Sequence, residues 1–415
     1  MNPRAPRLAY LATCFPNPVD TFVRREMHGL RDQGFPLDVV CSLRPGTGTL
    51  EPKDPPLLQA RSGLRELGKL ITWAALHPRF FFRVVALAFE LDRKELLVLR
   101  QGHSSFLKSL LLLPRVLDLH QRLDGQITQI HAQFAGVATT VACLLAHLRG
   151  ISFSFTAHGS DLFVYAPFNL RQRLELCTAC VTVSKYNRRH LLTTYGEDLD
   201  SKIHVVRCGI DTSLYRELRS PGCQVPPQLL TVALLGKVKG IDVFLEALSR
   251  YKLRGGAALK YHLVGDGPER VALEQQVMTS GLSDWVQFHG LATESEVRAH
   301  LAQADLFVLP SRSEGFPVSL MEAAAAGLPL LASHITGIPE ILQEEENGLF
   351  LIPDDVEQQA GQLELLMQNN WQLLHQLKQT ASELNPDAWD IQTSIRQLVK
   401  VFDVEISPLA ITRTS

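Results

Sequence analysis

The stretch Ser313–Gly327, which reads SEGFPVSLMEAAAAG, decides both the fold and the site of this 415-residue chain. The apolar run before it, DLFVLPS, is typical of a buried strand that ends in a turn. Pro317 suits the first turn of a helix, where its missing N–H is not needed, and the Met, Glu and alanines after it favour helix. The segment therefore predicts a strand, a loop that holds Glu314, and a helix with Glu322 about two turns from its start.

Such a loop and helix start suit the binding of a nucleoside diphosphate. A helix N-terminus offers unpaired N–H groups and the positive end of the helix dipole, and both favour phosphate. A carboxylate on each side can accept hydrogen bonds from sugar hydroxyls. Glu322 would bind the ribose and Glu314 a transferred sugar. Alternatively, Glu314 caps the helix and Glu322 is a solvated helix residue.

Composition and charge exclude several classes of protein. A net charge of -2 argues against a general nucleic-acid binder, because no basic excess exists to meet phosphates. We see neither a signal peptide nor an apolar run long enough to span a membrane. Seven cysteines among apolar residues fit a reducing compartment. The single CxxC, Cys177 and Cys180, lacks a second ligand pair for zinc and is predicted to be buried and structural.

Apolar strands alternate with amphipathic segments along the chain, which predicts two α/β domains with parallel sheets. The Pro- and Gly-rich segment 219–228 is interpreted as the linker between domains 1–218 and 229–384. The predicted strands are Leu8–Thr13, Leu37–Ser42, Ile127–Ala132, Phe153–Ala157, Cys180–Ser184 and Ile203–Arg207, then Leu229–Leu235, Lys260–Val264, Val286–His289, Leu306–Pro310, Leu330–Ser333 and Gly348–Ile352.

The segment 64–123 interrupts this alternation with basic residues among apolar clusters such as FFFRVVALAF. It predicts a helical insertion in the first domain. Either its apolar faces pack on the sheet with the basic residues in solvent, or its helices lie on an anionic membrane face.

Two motifs carry a resemblance to a known family. The string quoted above is similar to the EGFGLxxLEAMAxGxP signature of family 4 glycosyltransferases. Residues 15–30, FPNPVDTFVRREMHGL, resemble the FPxxSETFVxxE region of members that make exopolysaccharides such as colanic acid and amylovoran. The resemblance implies the GT-B fold, two doubly wound Rossmann-like domains facing an interdomain cleft, with the tail 385–406 as a helix that crosses back to the first domain.

The resemblance also implies roles for residues of the first domain. His158, in FSFTAHGSDLF, matches the family's histidine loop and would act at the donor sugar. Asp161 would be a cleft residue on the acceptor side, or alternatively a helix cap. Asp20 and Thr21 would lie at the cleft, although Thr21 serves equally well as a helix N-cap. His131, at the end of a strand, would face the acceptor or serve in the core.

The segment GKVKG departs from the family's GRLxxxKG, because a lysine stands at the arginine position and the loop is about three residues shorter. A leaving diphosphate needs cationic stabilisation. Lys237 and Lys239, after Gly236, would supply it, and the alternative is that they are solvated surface residues.

The remaining donor-binding candidates lie in three turns. Glycine permits positive φ and close approach of the backbone to a ligand. The candidates are Gly315, Phe316 and Pro317 after Glu314, Gly265 and Gly267 in the turn GDGP, and Leu291 beside the base.

The expected function is retaining transfer of a sugar from a nucleoside-diphosphate sugar to a glycan or lipid-linked acceptor, in exopolysaccharide or cell-envelope glycan synthesis. No metal or other cofactor is expected. The alternative is a catalytically silent nucleotide-sugar-binding partner subunit of a glycan-assembly complex. We expect a cytoplasmic protein, either free or peripheral at the inner face of the membrane through the segment 64–123.

Overall fold

The computed structural model describes residues 6–17, 21–96, 105–164, 166–167, 169–218, 222–383 and 385–403. The chain divides into two compact units. The first unit comprises Met1–Gly209 and Ser394–Ser415, and the second comprises Ile210–Thr393.

The first unit is built on a parallel sheet with strand order β3-β2-β1-β4-β5-β6-β7. Helices cover the sheet, so that its central strands β1, β4 and β5 are buried along most or all of their length. Its described elements up to the second unit are β1 (Leu8–Phe15), α1 (Thr21–Asp32), β2 (Leu37–Pro45), β3 (Leu57–Gln59), α2 (Leu64–Leu76), α3 (Pro78–Leu96), α4 (Ser105–Arg122), β4 (Gln129–Gln133), α5 (Val137–Arg149), β5 (Ser152–Ala157), α6 (Ser160–Phe163), α7 (Leu170–Leu176), β6 (Ala179–Thr182), α8 (Lys185–Tyr195) and β7 (Ile203–Val205).

The second unit has a parallel sheet with strand order β10-β9-β8-β11-β12-β13. Its described elements are α9 (Ser213–Arg216), β8 (Gln228–Val232), α10 (Ile241–Leu253), β9 (Lys260–Val264), α11 (Arg270–Thr279), β10 (Val286–Gly290), α12 (Glu294–Gln303), β11 (Leu306–Leu309), α13 (Val318–Ala325), β12 (Leu330–Ser333), β13 (Gly348–Leu351), α14 (Val356–Met367) and α15 (Gln372–Glu383). A last helix, α16 (Ile391–Asp403), begins in the second unit and enters the first at Ser394.

Each sheet reverses its strand order at one point. The chain leaves β1 towards β2 and β3 and then returns to the other side as β4, and it repeats this pattern at β8 and β11. Doubly wound sheets bind ligands beyond the carboxyl ends of the strands at this switch point. The fold therefore predicts one such edge in each unit.

Side-chain caps set the starts of several helices that cover the sheets. The Ser184 hydroxyl accepts the N–H of Asn187 at the start of α8. Thr293 and Glu296 form a capping box on α12, and the Asp355 carboxylate accepts the N–H of Gln358 on α14. Each cap satisfies a backbone donor that the first helical turn leaves unpaired.

The segment 64–123 forms α2, α3 and α4. Val84, Ala88 and Leu91 of α3 are buried in the first unit's core, whereas other apolar side chains of α2 and α3 face solvent. Among the described residues, no single helix is long and apolar enough to cross a membrane; α2 and the first part of α3 meet that measure only together, and they are bent by 116°.

The α/β fold predicted from the sequence is confirmed. Each predicted strand overlaps an observed one, and the prediction missed only β3 among the described strands. This strand has three residues, follows two prolines and lies at the edge of the sheet, so that it leaves little periodicity to detect.

The division between the units falls at Gly209 and Ile210 rather than at the predicted linker 219–228. The described part of that linker is held inside the second unit. The buried Asp305 carboxylate accepts the backbone N–H groups of Gln224 and Gln228 at 3.1 and 2.9 Å and pairs with Lys378 at 2.8 Å.

Candidate functional site

In the second unit, the loops that follow β8 and β11 meet at the switch point of the sheet. The first loop contains a 3₁₀ turn, Lys237–Lys239, closed by Gly240 at φ 64°. A Cβ at Gly240 would lie 2.0 Å from the carbonyl oxygen of Pro310, so only glycine permits this approach. The backbone N–H of Arg312 donates to the carbonyl of Val238 at 2.7 Å. The two loops are therefore joined backbone to backbone.

The structure brings Lys239 and Glu314 together. The Lys239 ammonium lies 2.7 Å from Glu314 Oε1, and the Ser311 hydroxyl donates to the same oxygen at 2.6 Å. The two charged side chains are 20% and 9% exposed. Lys237 is different, because its side chain is 73% exposed and lies 3.6 Å from Asp242. Only one of the two predicted lysines is thus held at the loop junction.

Arg312 was missed by the sequence reasoning. Its guanidinium donates two hydrogen bonds to Asp242, at 2.8 and 2.9 Å, one to Asp354 at 2.7 Å, and one to the carbonyl of Lys237. Burial would raise the pKa of the Asp242 carboxyl, but the hydrogen bonds and charge of Arg312 outweigh burial and lower it. Arg312 therefore holds the turn Lys237–Lys239 in place. Its position between the end of a predicted strand and Glu314 is the feature of the sequence that could have identified it.

Helix α13 begins one residue later than expected. Pro317 is its N-cap, with helix from Val318, so that Glu322 lies little more than one turn from the start rather than two. Glu322 is buried and accepts a hydrogen bond from the Tyr215 hydroxyl at 2.9 Å. Tyr215 belongs to the short helix α9, and nothing in the sequence indicated this contact.

The turn after β9 lies against the end of β8. A Cβ at Gly265 would lie 1.9 Å from the carbonyl oxygen of Ala233, and one at Gly267 would lie 2.5 Å from that of Leu235. Both glycines are therefore required by backbone contact within the unit, whether or not a ligand is bound.

The other donor-binding candidates flank these loops. Leu291, after β10, is 74% exposed, whereas Phe316 is buried. Gly315 precedes Phe316 and is partly exposed, and the N–H of Gly236 donates to the carbonyl of Leu234 at 2.8 Å.

In the first unit, His158 lies at the carboxyl end of β5. Its Nε2 is 2.9 Å from Gln133 Oε1, and its ring lies beside those of Phe22 and Phe134 at centroid distances of 4.8 and 4.6 Å. Burial lowers the pKa of His158 to about 4, although the nearby Asp161 opposes this shift. The imidazole is therefore neutral at neutral pH.

Asp161 is occupied by the backbone. Its carboxylate accepts the N–H groups of Ala135, His158 and Gly159 at 2.7, 3.0 and 2.8 Å, and its side chain is buried. It fastens the loop after β4 to the loop after β5. The carboxylate thus shapes the site through hydrogen bonds with the backbone, and it has little capacity left to bind an acceptor sugar.

The suggested acceptor role of His131 does not agree with its position. His131 is fully buried, and its two ring nitrogens lie 2.9 Å from the hydroxyls of Ser154 and Thr156. Burial lowers its pKa to about 3. The structure places His131 in the core, because a ring with both nitrogens paired to strand hydroxyls has no surface for a ligand.

Two cleft candidates of the first unit remain. Thr21 is the first residue of α1, and Asp20 lies outside the described residues.

In the described ranges, no group of three or more His, Cys, Asp or Glu side chains is arranged to hold a metal ion. All seven cysteines lie in those ranges and are free thiols. Cys177 and Cys180 are buried, and burial raises the pKa of Cys177 to about 12.

Two doubly wound parallel sheets, each with polar side chains at its switch point, define a protein of the GT-B class. The crystal structure of Alr3699/HepE from Anabaena, in complex with UDP and glucose, has this fold, with a TM-score of 0.70, 17% identity and coverage of 96% of this chain and 99% of that one. Residues 74–214 match the model of Glycosyltransferase Family 4, and residues 223–384 match that of Glycosyl transferases group 1. Both units thus carry domains that match glycosyltransferase families, in agreement with the resemblance that the motifs indicate.

Named relatives agree with this assignment over part of their length. The amylovoran biosynthesis glycosyltransferase AmsK of Erwinia amylovora is 35% identical over 159 residues, which are 37% of this chain and 39% of that protein. The 2-deoxystreptamine N-acetyl-D-glucosaminyltransferase of Niallia circulans is 29% identical over 234 residues, 52% of this chain and 60% of that protein. The chain spans about two fifths of the length of the first relatives it matches.

The backbone contact at Gly240 generates a testable prediction. Gly240→Ala adds a Cβ that meets the carbonyl of Pro310, in addition to the cost of a positive φ. Gly255→Ala is the matched control, because Gly255 has φ 82° with open space around its Cβ position. We expect the control to lower the free energy of unfolding by about 1 kcal/mol and Gly240→Ala to lower it clearly more, as measured by hydrogen exchange of amides in β8 and β11. Equal losses in the two variants would contradict the contact.

Proposed function

We propose that this protein transfers a sugar from a nucleoside-diphosphate sugar to a glycan or lipid-linked acceptor, with retention of the anomeric configuration, in the assembly of an exopolysaccharide or cell-envelope glycan. The observation that carries the proposal is the junction of Lys239, Glu314 and the start of α13 at the switch point of the second sheet. A cation, a carboxylate and a helix N-terminus together suit a diphosphate that carries a sugar.

The charge balance at the junction supports a donor with phosphate. Lys239 and Glu314 neutralise each other, so Lys239 can turn from the carboxylate to a phosphate as a more highly charged partner arrives. The carboxylate then accepts hydroxyl hydrogen bonds from the transferred sugar. In this proposal Lys239 supplies the stabilisation of the leaving phosphate, and no metal ion is needed. We therefore expect transfer to persist in the presence of EDTA.

The comparisons support the class of donor and product. The solved relative from Anabaena was crystallised with UDP and glucose, and AmsK is named for amylovoran biosynthesis. In the first unit, a neutral His158 at the end of β5 is suited to a hydrogen bond with the transferred sugar.

The proposal predicts unequal effects at the two lysines. With a panel of nucleoside-diphosphate sugars and a lipid-linked saccharide acceptor, Lys239→Ala should lower kcat by about 10²–10³-fold, because it removes charge stabilisation that grows as the phosphate leaves. Lys237→Ala is the control within the same turn and should be nearly silent, since exposed charges contribute little.

Other outcomes of this assay separate the alternatives. Equal effects of the two substitutions would contradict the role of Lys239. Donor binding without transfer by the unmodified protein, across the panel, would favour the catalytically silent partner subunit.

Glu322 is predicted to bind the ribose of the donor. Glu322→Ala removes a charge-assisted hydrogen bond worth about 1.5–3 kcal/mol, so donor affinity should fall about ten- to a hundredfold in calorimetry. Tyr215→Phe keeps the carboxylate and removes only its hydroxyl partner, and it should retain most of the affinity. The exposed Glu346→Ala is the control for charge. A folded Glu322→Ala protein with unchanged affinity would remove the ribose assignment.

We also propose that the outer faces of α2 and α3 contact an anionic lipid surface, where a lipid-linked acceptor would reside. Leu64, Ile71 and Phe82 are 89%, 64% and 68% exposed, respectively. Arg65 and Arg83 lie on the same helices and are also exposed. Apolar side chains beside basic ones suit the headgroup region of an anionic membrane and would repel a second copy of the same face.

Vesicle binding tests the lipid contact. The protein should co-sediment with phosphatidylcholine vesicles that contain phosphatidylglycerol and much less with phosphatidylcholine alone. Phe82→Ser should weaken this binding, whereas Leu253→Ser, at an 84% exposed leucine of the second unit, should not. No binding to either vesicle, or concentration-dependent self-association that Phe82→Ser abolishes, would overturn the proposal.

A further inference from the structure

Glu26, the glutamate that ends the segment resembling FPxxSETFVxxE, has no role in the site described so far. It lies on α1 at the head of a chain of hydrogen bonds. The Tyr10 hydroxyl donates to Glu26 Oε1 at 2.5 Å, and the Gln133 amide nitrogen donates to the same oxygen at 2.8 Å. The amide oxygen of Gln133 is then 2.9 Å from His158 Nε2. Tyr10 and Gln133 are buried, so this chain is shielded from water.

The direction of each hydrogen bond follows from the charge of Glu26. An ionised carboxylate only accepts, so the NH₂ group of Gln133 must point to it. The amide oxygen, which also only accepts, is thereby turned to His158. A neutral imidazole can satisfy it only when Nε2 carries the hydrogen. The ring nitrogen Nδ1 then keeps its lone pair, with the Cys208 thiol, a weak donor, 3.9 Å away.

We propose that Glu26 is a positioning residue that acts through the Gln133 amide to hold His158 in the Nε2–H tautomer, so that Nδ1 is the acceptor offered to a sugar hydroxyl. The part of this inference that concerns the sugar rests on the function proposed above. The tautomer itself does not, because it follows from hydrogen bonds within the first unit. Histidine tautomers are set in this way by the partner of the opposite ring nitrogen.

Strain at the end of β4 supports the assignment. Phe134, directly after Gln133, has φ 68°, a backbone region that costs a phenylalanine free energy. This conformation sets the Phe134 ring beside His158, and the ring of Phe22 from α1 lies on the imidazole as well. The imidazole is thus held by two rings and one amide, which limits it to small rotations.

Among the described groups around His158, Glu26 is the one whose pKa lies near neutral pH. Burial raises the pKa of Glu26 to about 7, although its hydrogen bonds from Tyr10 and Gln133 oppose the shift. Burial lowers the pKa of His158 to about 4, and burial raises those of Tyr10 and of Cys208, which faces Glu26 from the segment after β7. Arg25, on α1 itself, stays charged throughout.

The preference for one tautomer of His158 depends on pH through the charge of Glu26. Above pH 7 Glu26 is ionised and the amide has one allowed orientation. Below pH 7 the neutral acid can donate as well as accept, so the preference for one tautomer of His158 relaxes while the ring itself remains uncharged.

The test is ¹⁵N NMR of the imidazole nitrogens in the full chain, with His158 assigned by a His158→Gln variant. At pH 8 the unmodified protein should show the Nε2–H tautomer. Glu26→Gln should reduce that preference by about tenfold or more, the effect of losing a hydrogen bond to a charged group. Asp32→Asn is the matched control, because it removes an exposed carboxylate from the same helix.

Each outcome decides the proposal. The Nδ1–H tautomer at pH 8, unchanged His158 shifts in Glu26→Gln, or equal changes in Asp32→Asn would overturn it. If Glu26→Gln fails to fold, the unmodified protein still decides, since its His158 shifts should titrate with a midpoint near 7 and without the signature of a protonated ring. Absence of sugar transfer would contradict the proposed function but would leave the tautomer result standing.

Discussion

The backbone approach of the loops 236–240 and 310–314 is the constraint on which the second unit's site depends. Gly240 permits it, because a side chain there would meet the carbonyl of Pro310. Once the loops touch, Arg312 donates to the carbonyl of Lys237 and is held by Asp242 of α10, and Lys239 comes within 2.7 Å of Glu314. The short lysine loop is thus held in place by backbone contact and by an arginine from the loop after β11.

The parallel sheets could be predicted from the sequence because buried strands of this kind are apolar runs at regular spacing. The positions of Glu314, Lys239 and His158 at strand ends follow from the same pattern. The contacts between them do not, because Lys239 and Glu314 are 75 residues apart and their meeting depends on which strands are neighbours. The contact of Tyr215 with Glu322 spans 107 residues and is hidden for the same reason.

Histidines show where sequence reasoning reaches its limit. In the sequence, His131 and His158 both lie at or near the ends of predicted strands, and both have neighbours that can form hydrogen bonds. Their environments differ because His131 lies between the hydroxyls of Ser154 and Thr156 on the adjacent strand, whereas His158 lies one residue beyond its strand, against Gln133. A shift of one or two residues along a strand moves a ring from the core to the edge, and no local pattern reports that shift.

The two ends of the second unit are hydrogen-bonded to each other. The N–H of Ile210 donates to the carbonyl of Trp389, and the N–H of Ile391 donates to the carbonyl of Ile210, both at 2.9 Å. In the chain, the second unit is therefore an insertion between two parts of the first unit, and its ends are joined by these hydrogen bonds. Because both junctions lie side by side, recombination between genes could exchange residues 210–393 as one continuous segment, with one junction before Ile210 and the other three residues into α16.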